Sequence, residues 1–402
     1  MSAADAWAAA DPTECPVCGL DSCVEHLPAR RPNEHSRPVL HVQHARDVIS
    51  APRPLEIVEG LAWAQCVTVL VSESGTGKTF LLLDLASAIS DGVQWHGRAV
   101  HQGSVVYISF EGDALSLRLR ALRDVGGRRL DHLYILHPPD PLSPRASRDG
   151  EVPSLGEVMV TAALTTLAGE LQREGLPPIV LVIIDTVRAS MTGSEDASEH
   201  VSAYLRAVRR VVSRAPRAAV ILAHHAGWQD GETKRKRERG SSSWRGNCDA
   251  TVYLEADGPY DAERGEAPLT LQTLKVRDVE RPAPLSLVRR RVELLEMDRH
   301  GGPVTSCLIE RDPRSRADRD AERTAAVAAH DRETDLKVLQ AMRDYPTATS
   351  ITRLRPYVGL RTDAVSASVA RILREKLATE GKRGQPYTLT EAGQMALAKG
   401  SI

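Results

Sequence analysis

Val67-Thr68-Val69-Leu70-Val71 runs directly into Ser72-Glu73-Ser74-Gly75-Thr76-Gly77-Lys78-Thr79, and then into Phe80-Leu81-Leu82-Leu83. An apolar strand, a loop of small residues and an apolar helix follow one another without a break, and this order decides the fold. Gly75 and Gly77 let the backbone fold so that successive N–H groups turn inward. The first turn of the helix adds its positive dipole end at the same point. Such a cradle suits the β- and γ-phosphates of a nucleoside triphosphate. The candidate cofactor site is therefore Ser72, Glu73, Ser74, Gly75, Thr76, Gly77, Lys78, Thr79 and Phe80. Lys78 is expected to reach the terminal phosphates, and the Thr79 hydroxyl to coordinate Mg²⁺. The motif usually begins with Gly, and here Ser72 stands in that place.

The chain around this motif has 402 residues, 42% of them hydrophobic, which allows two or three domains with a sizeable core. Lys and Arg number 52 against 53 Asp and Glu, for a net charge of −1. There is no global attraction to a polyanion, so any nucleic-acid contact must come from local patches. No run of about 18 apolar residues occurs, and the first 30 residues show no charged-then-apolar export signal. A soluble, cytoplasmic protein without membrane contact is expected. Six cysteines, half of them near the N-terminus, do not make a disulfide framework.

Five regions are expected. Residues 1–30 hold a cysteine cluster, and 31–54, rich in Pro, His and Arg, form a linker. From 55 to 311, apolar runs of strand length alternate with helical patterns, which implies a mostly parallel sheet covered by helices, an α/β core. The strands are placed at 67–71, 104–109, 133–136, 179–185, 218–223, 250–255 and 269–274, with a late pair near 285–297 and 304–310. Glu199–Ala215 is the clearest helix, with Val201, Tyr204, Leu205, Val208, Val211 and Val212 on one stripe. Residues 138–156, with five prolines, suggest a mobile loop. Residues 312–332 suggest a charged linker, and 333–402 a small C-terminal domain.

Two acids follow the loop at strand ends. Glu111 comes just after the buried run 104–109, and Asp185 ends the apolar run 179–185. Ligands of open α/β sheets bind at the carboxyl ends of the strands, so Lys78, Glu111 and Asp185 can converge there. Asp185 suits the Mg²⁺ shell, and Glu111 suits the orientation and deprotonation of an attacking water. A third strand ends in His224-His225-Ala226-Gly227, where one histidine can sense the γ-phosphate. A metal-binding role or a plain strand-end role are the other readings of this pair. Arg239, Lys275 and Arg277 are candidate fingers that a neighbouring subunit would bring to the γ-phosphate, or else surface ion pairs.

The segment from 55 to 311, nearly two-thirds of the chain, resembles the RecA-like core of the RepA-type hexameric helicase ATPases of plasmids and phages. The resemblance is carried by SESGTGKT (72–79), YISFEG (107–112), LVIIDT (181–186), ILAHHAG (221–227) and RGSSSWRGNCD (239–249). It implies ATP with Mg²⁺ as cofactors, Glu111 as catalytic carboxylate, Asp185 on the Walker B strand, and His224 or His225 as sensor. It also implies Arg239 as a trans-acting finger. Lys275 and Arg277 resemble the Lys-x-Arg pair of DnaB-type helicases. The sequence departs from the family at Ser72, at Thr186 where a second acid is common, and at Trp228 where Lys is common.

In RecA-like rings the loop after this third strand faces a central channel. Here it carries Trp228, Lys234, Arg235, Lys236 and Arg237, continuing to Trp244 and Arg245. Cations flanked by indoles suit single-stranded DNA, with backbone attraction from the former and base stacking on the latter; a solvated loop with core-packed tryptophans is the bland reading. At the C-terminus, helices over 333–344, 349–358 and 362–376 and a basic hairpin over 381–389 resemble a winged helix-turn-helix. Arg361, Arg371 and Arg374 would face a major groove, and Lys382 and Arg383 would touch backbone from the wing. Winged helices also dock proteins.

Cys15, Cys18, Cys23 and His26 have the spacing C-x₂-C-x₄-C-x₂-H, which suits a tetrahedral structural Zn²⁺. The whole implies a Mg²⁺-dependent, ring-forming homo-oligomeric ATPase, a hexamer by resemblance, moving on DNA in the replication of a mobile element. An ATP-switched DNA-binding regulator and a RecA-type strand-exchange mediator are the rivals.

Overall fold

Val67–Ser72 is buried at every position, so the strand needs cover on both faces, and it lies inside a nine-stranded sheet with helices on either side. The computed structural model describes residues 44–50, 54–110, 115–147, 150–225, 242–277, 279–314, 316–380 and 385–400. The chain divides into two units at Arg53–Pro54. In the first unit the described residues form one short helix, α1 (Ala45–Ser50).

The second unit opens with a small hairpin, β1 (Glu56–Val58) and β2 (Ala62–Trp63), which leads into β3 (Val67–Ser72) and α2 (Lys78–Asp91). Next come β4 (Ser104–Ser109), α3 (Leu115–Arg120), β5 (Leu133–Leu136), a hairpin of β6 (Arg145–Ser147) and β7 (Gly150–Val152), and α4 (Leu155–Glu174). Then follow β8 (Ile179–Asp185), α5 (Val187–Ser190), α6 (Ser198–Val212), β9 (Ala219–His225) and α7 (Ser242–Asn247). The core ends with β10 (Ala250–Ala256), β11 (Glu266–Val276), β12 (Leu285–Met297) and β13 (Pro303–Arg311). The sheet order is β13-β12-β11-β10-β3-β9-β8-β4-β5. From β10 to β5 every pairing is parallel, whereas β11, β12 and β13 form an antiparallel extension. This mixed α/β, largely parallel sheet fits a RecA-like P-loop core.

The pleat sorts the apolar runs into two cores. Val105, Tyr107, Leu181 and Ile183 meet Leu81, Leu82, Leu85 and Ile89 of α2 on one face. Val106, Ile108, Val182 and Ile184 meet Val160 and Leu164 of α4 and Val201, Tyr204 and Leu205 of α6 on the other. Runs that look uniformly apolar in sequence are thus two interleaved faces.

Two stretches differ from expectation. Residues 138–156, expected as a loop, carry β6 and β7 among their described residues. Leu142 is fully buried and its N–H donates to Ser190 O at 2.7 Å, while Ser154 Oγ donates to Pro141 O at 2.8 Å and caps α4. The prolines hold the backbone at one φ and lower the entropy lost in packing it. Residues 312–332, expected as a linker, instead fall largely within α8 (Arg316–Asp344), which continues into the C-terminal module. Alanines and long charged side chains are good helix formers, so a dense charge pattern need not mean an extended chain.

The start of α8 is anchored by Arg319, which is 8% exposed. Its guanidinium pairs with Asp257, lies 3.3 Å from Asp312 Oδ2, and donates to Thr270 Oγ1 at 3.0 Å. The far end of α8 gathers α9 (Ile351–Val358), α10 (Thr362–Arg374), the paired β14 (Ala378–Thr379) and β15 (Thr388–Leu389), and α11 (Glu391–Lys399). Val338, Leu339, Leu354, Val365, Val369 and Ile372 form their shared core.

Removing Arg319 would take a buried cation from two aspartates whose side chains are 2% and 1% exposed, leaving Asp257 to Arg316 at 3.8 Å and Asp312 to Arg314 at 3.0 Å. Arg319→Met is expected to cost about 3 kcal/mol, whereas Arg316→Met, on a half-exposed side chain, should cost less than about 1 kcal/mol. Denaturant midpoints of the two variants check this.

Candidate nucleotide-binding site

The strand registers bring the chemistry to one edge. Ser72 of β3 pairs with His225 of β9, Ala223 of β9 with Asp185 of β8, and Asp185 with Ser109 of β4. The four strands therefore end in one row. Gly75 and Gly77 turn the chain there with φ of 76° and 116°, a region that L side chains rarely adopt. Ser72 has no positive φ, so the turn does not require the usual Gly at that position.

The Ser72 hydroxyl has a use of its own. Lys78, 5% exposed, donates from Nζ to Ser72 Oγ at 3.0 Å, to Ser72 O at 3.2 Å and to Glu73 O at 3.3 Å. His225 Nδ1 lies 2.9 Å from the same Nζ. Thr76 Oγ1 donates to Glu73 O at 3.0 Å and closes the loop on itself.

The two histidines separate because adjacent strand residues face opposite ways. His225 stands beside the loop lysine. His224 is buried, with Nε2 3.2 Å from Glu195 Oε2 and its ring tilted against Trp244 at 5.1 Å between centroids. Burial alone would raise the Glu195 carboxyl, but the close approach of His224, with Arg188 and His225 behind it, holds it below the usual range.

Asp185, 3% exposed, receives two hydroxyls on Oδ2, from Thr79 at 2.8 Å and from Tyr107 at 2.5 Å. Its Oδ1 is buried and has no hydrogen-bond partner. A buried carboxylate oxygen without a donor needs a cation or water, and oxygen ligands from Asp and Thr beside a phosphate cradle fit Mg²⁺. Burial first, then the Asp185 charge and hydrogen bond, push the Tyr107 hydroxyl well above its ordinary pKa, so it stays a donor at any working pH. Tyr107 was not legible as a site residue, because in Ser104-Val105-Val106-Tyr107-Ile108-Ser109 it looks like one more core aromatic. Thr186, in place of a second acid, is the N-cap of α5, where a hydroxyl is the suitable group. Glu111 lies outside the described residues; the neighbouring Phe110 N–H donates to Asp185 O at 2.8 Å.

The remaining candidates are dispersed. The Phe80 ring has the Arg118 guanidinium 4.9 Å from its centroid. Lys275 of β11 pairs with Thr251 of β10, which pairs with Val69 of β3, toward the start of that strand. Lys275 donates to Arg245 O and to Cys248 O (2.8 Å), while Arg277 donates to Gly246 O at 3.0 Å and lies 3.1 Å from Asp249. Both cations thus lie toward the opposite end of the sheet from this chain's own loop.

Trp244, expected as a stacking platform, is instead a core residue. It is 5% exposed, donates from Nε1 to Glu195 O at 3.0 Å and stands edge-on to Tyr204. Arg245 is exposed. Arg371, expected to face a groove, is held by Asp335 through hydrogen bonds of 2.8 and 3.0 Å and by Asp331 at 3.2 Å; Arg361 and Arg374 are exposed. Trp228, Lys234, Arg235, Lys236, Arg237, Arg239, Lys382, Arg383 and the set Cys15, Cys18, Cys23 and His26 lie outside the described residues. Among the described residues no group of three or more His, Cys, Asp or Glu could hold a metal ion. None of the helices they form is long and apolar enough to cross a membrane.

A phosphate cradle at the end of β3, with a hydroxyl and an acid beside it, defines a P-loop nucleotide-binding core. Residues 33–231, just under half of the chain, match the sequence model of a family described as AAA domain, and this match supports a P-loop ATPase of that kind. No curated protein matches the chain.

Tyr107→Phe leaves the Asp185 carboxylate with Thr79 as its one donor among the described residues. We expect Mg²⁺-ATP affinity to fall by about tenfold, as for other groups that orient a metal-binding carboxylate, with the fold retained. Calorimetric titration of the variant checks this.

Proposed function

We propose that this protein is a ring-forming, RepA-type DNA motor that hydrolyses ATP between subunits and moves on single-stranded DNA, in the replication of a mobile element. One observation carries the reading beyond ATP hydrolysis. Lys275 and Arg277 lie toward the far end of the sheet from the loop that Lys78 and His225 define. Cations so placed cannot serve this chain's own nucleotide, and a neighbouring copy in a ring, a hexamer by resemblance, is what would use them. In this reading Lys78 binds the terminal phosphates, Thr79 and Asp185 hold Mg²⁺, and His225 rather than His224 senses the γ-phosphate. Glu111 orients the attacking water, and Arg239 joins Lys275 and Arg277 as a finger. Trp228 and the basic run Lys234–Arg237 line the channel. Cys15, Cys18, Cys23 and His26 hold a structural zinc, which metal analysis of purified protein and of Cys15→Ser would check.

A second reading is an ATP-switched DNA-binding regulator without translocation. The C-terminal helices with the β14–β15 pair and the exposed Arg361 and Arg374 favour it, since such a module can bind duplex DNA on its own account.

The deciding experiment measures ATP turnover with and without single-stranded DNA, together with the mass of the assembled particle. A motor is expected to form a ring and to be stimulated several-fold or more by single strands. A monomer with unstimulated turnover and tight duplex binding would favour the regulator. Lys78→Ala should abolish turnover, and Glu111→Gln should bind ATP without cleaving it. Mixing Glu111→Gln with Arg239→Ala should restore some turnover if sites are shared between subunits.

A further inference from the structure

Three consecutive arginines, Arg289, Arg290 and Arg291, lie on β12, three places from β3 in the sheet. Arg290 is taken by carboxylates, Glu310 at 2.8 Å and Glu266 at 2.9 Å, and Arg291 is exposed. Arg289 goes elsewhere. Its Nη1 donates to Gly75 O, in the phosphate loop of the same chain, at 2.7 Å. Its Cδ and Nη1 lie 3.3 and 3.4 Å from where a Cβ on Gly77 would stand, so the side chain lies along the loop from Gly75 to Gly77. Among the described residues Arg289 has no carboxylate within ion-pair distance. A charged guanidinium has been directed to a neutral carbonyl, across two intervening strands.

We infer that Arg289 is a positioning residue in cis, which holds the phosphate loop in its binding shape before nucleotide arrives. The inference rests on the ATP-binding reading and adds to it a residue from outside the matched segment 33–231. A trans peptide is planar, so fixing the Gly75 carbonyl toward β12 fixes the Thr76 N–H pointing away from it. That N–H is one of the donors a phosphate cradle needs. The guanidinium charge on the carbonyl also polarises the peptide and makes the N–H a stronger donor. Gly75 and Gly77 are the positions with the most freedom to lose, and nothing lies within 4 Å of a Cβ at Gly75, so side-chain packing does not restrain it. Arg289 supplies the restraint instead. It differs in kind from Lys275 and Arg277, which lie toward the other end of the sheet.

The test compares the full-length wild type with Arg289→Ala, Arg289→Lys and Arg291→Ala. Mg²⁺-ATP affinity is read by calorimetry, amide exchange over residues 72–79 without nucleotide, and turnover at saturating ATP. Arg289→Ala is expected to weaken affinity by about tenfold, the size of one charge-assisted hydrogen bond, and to speed exchange in the loop. Saturated turnover should stay within about twofold, because the loop recovers its shape once filled. Arg289→Lys should recover part of the affinity, and Arg291→Ala should match the wild type. Unchanged affinity and exchange in Arg289→Ala overturn the inference. So does a fall in turnover at unchanged affinity, which would mean direct contact with the reacting phosphates. If Arg289→Ala does not fold, Arg289→Lys decides by the same two readouts. A wild type that binds no Mg²⁺-ATP would sink the ATPase reading itself, an outcome distinct from a wild type that binds and a variant that binds equally well.

Discussion

The arrangement depends on one buried carboxylate. Asp185 sits at the end of a strand with no exposed residue and accepts hydroxyls from α2 and β4 at once. A charge in that position is costly unless it is fully bonded, and two donors on Oδ2 leave Oδ1 unmet. The same two bonds fasten the first turn of the loop helix to the neighbouring strands. Structural need and metal chemistry thus share one side chain. The deficit left at Oδ1 is what a divalent cation would relieve.

Much of the α/β core was legible because parallel strands buried on both faces appear as continuous apolar runs of fixed length. Val67–Val71, Ser104–Ser109 and Ile179–Asp185 needed no context, and the Gly-Lys-Thr signature fixed where the first strand must end. Less was legible where local pattern and tertiary environment pull apart. Dense alternating charge over 316–332 suits a solvated linker and a solvated helix alike. Only the partners of Arg319, Asp257 and Asp312, distant in sequence from one another or brought round by the sheet, decide for the helix. Five prolines suit a loose stretch, yet Leu142 within it is fully buried.

Side chains were harder than elements. His224 and His225 are indistinguishable in sequence, and pleat direction alone sends one to Lys78 and the other to Glu195. Trp244 drew notice because it neighbours a cationic run, but its indole fills the space between Tyr204 and His224. Arg371 carries the same charge as Arg374 one turn away, yet Asp335 on α8 claims it. Tyr107 and Arg289 belong to no motif, since each acts through another residue across the sheet. Such contacts depend on strand order, which a single sequence does not display.

The unbroken course of α8 has a mechanical consequence. Its 29 residues make a rod of about 43 Å, seated at Arg319 on the antiparallel extension and ending inside the C-terminal module. A rod of that length is a lever: tilting its base by ~5° sweeps its tip through ~4 Å, from the stated rise per residue. Small rearrangements at the sheet edge would therefore arrive at the distal helices enlarged, with no flexible joint among the described residues of the rod to absorb them.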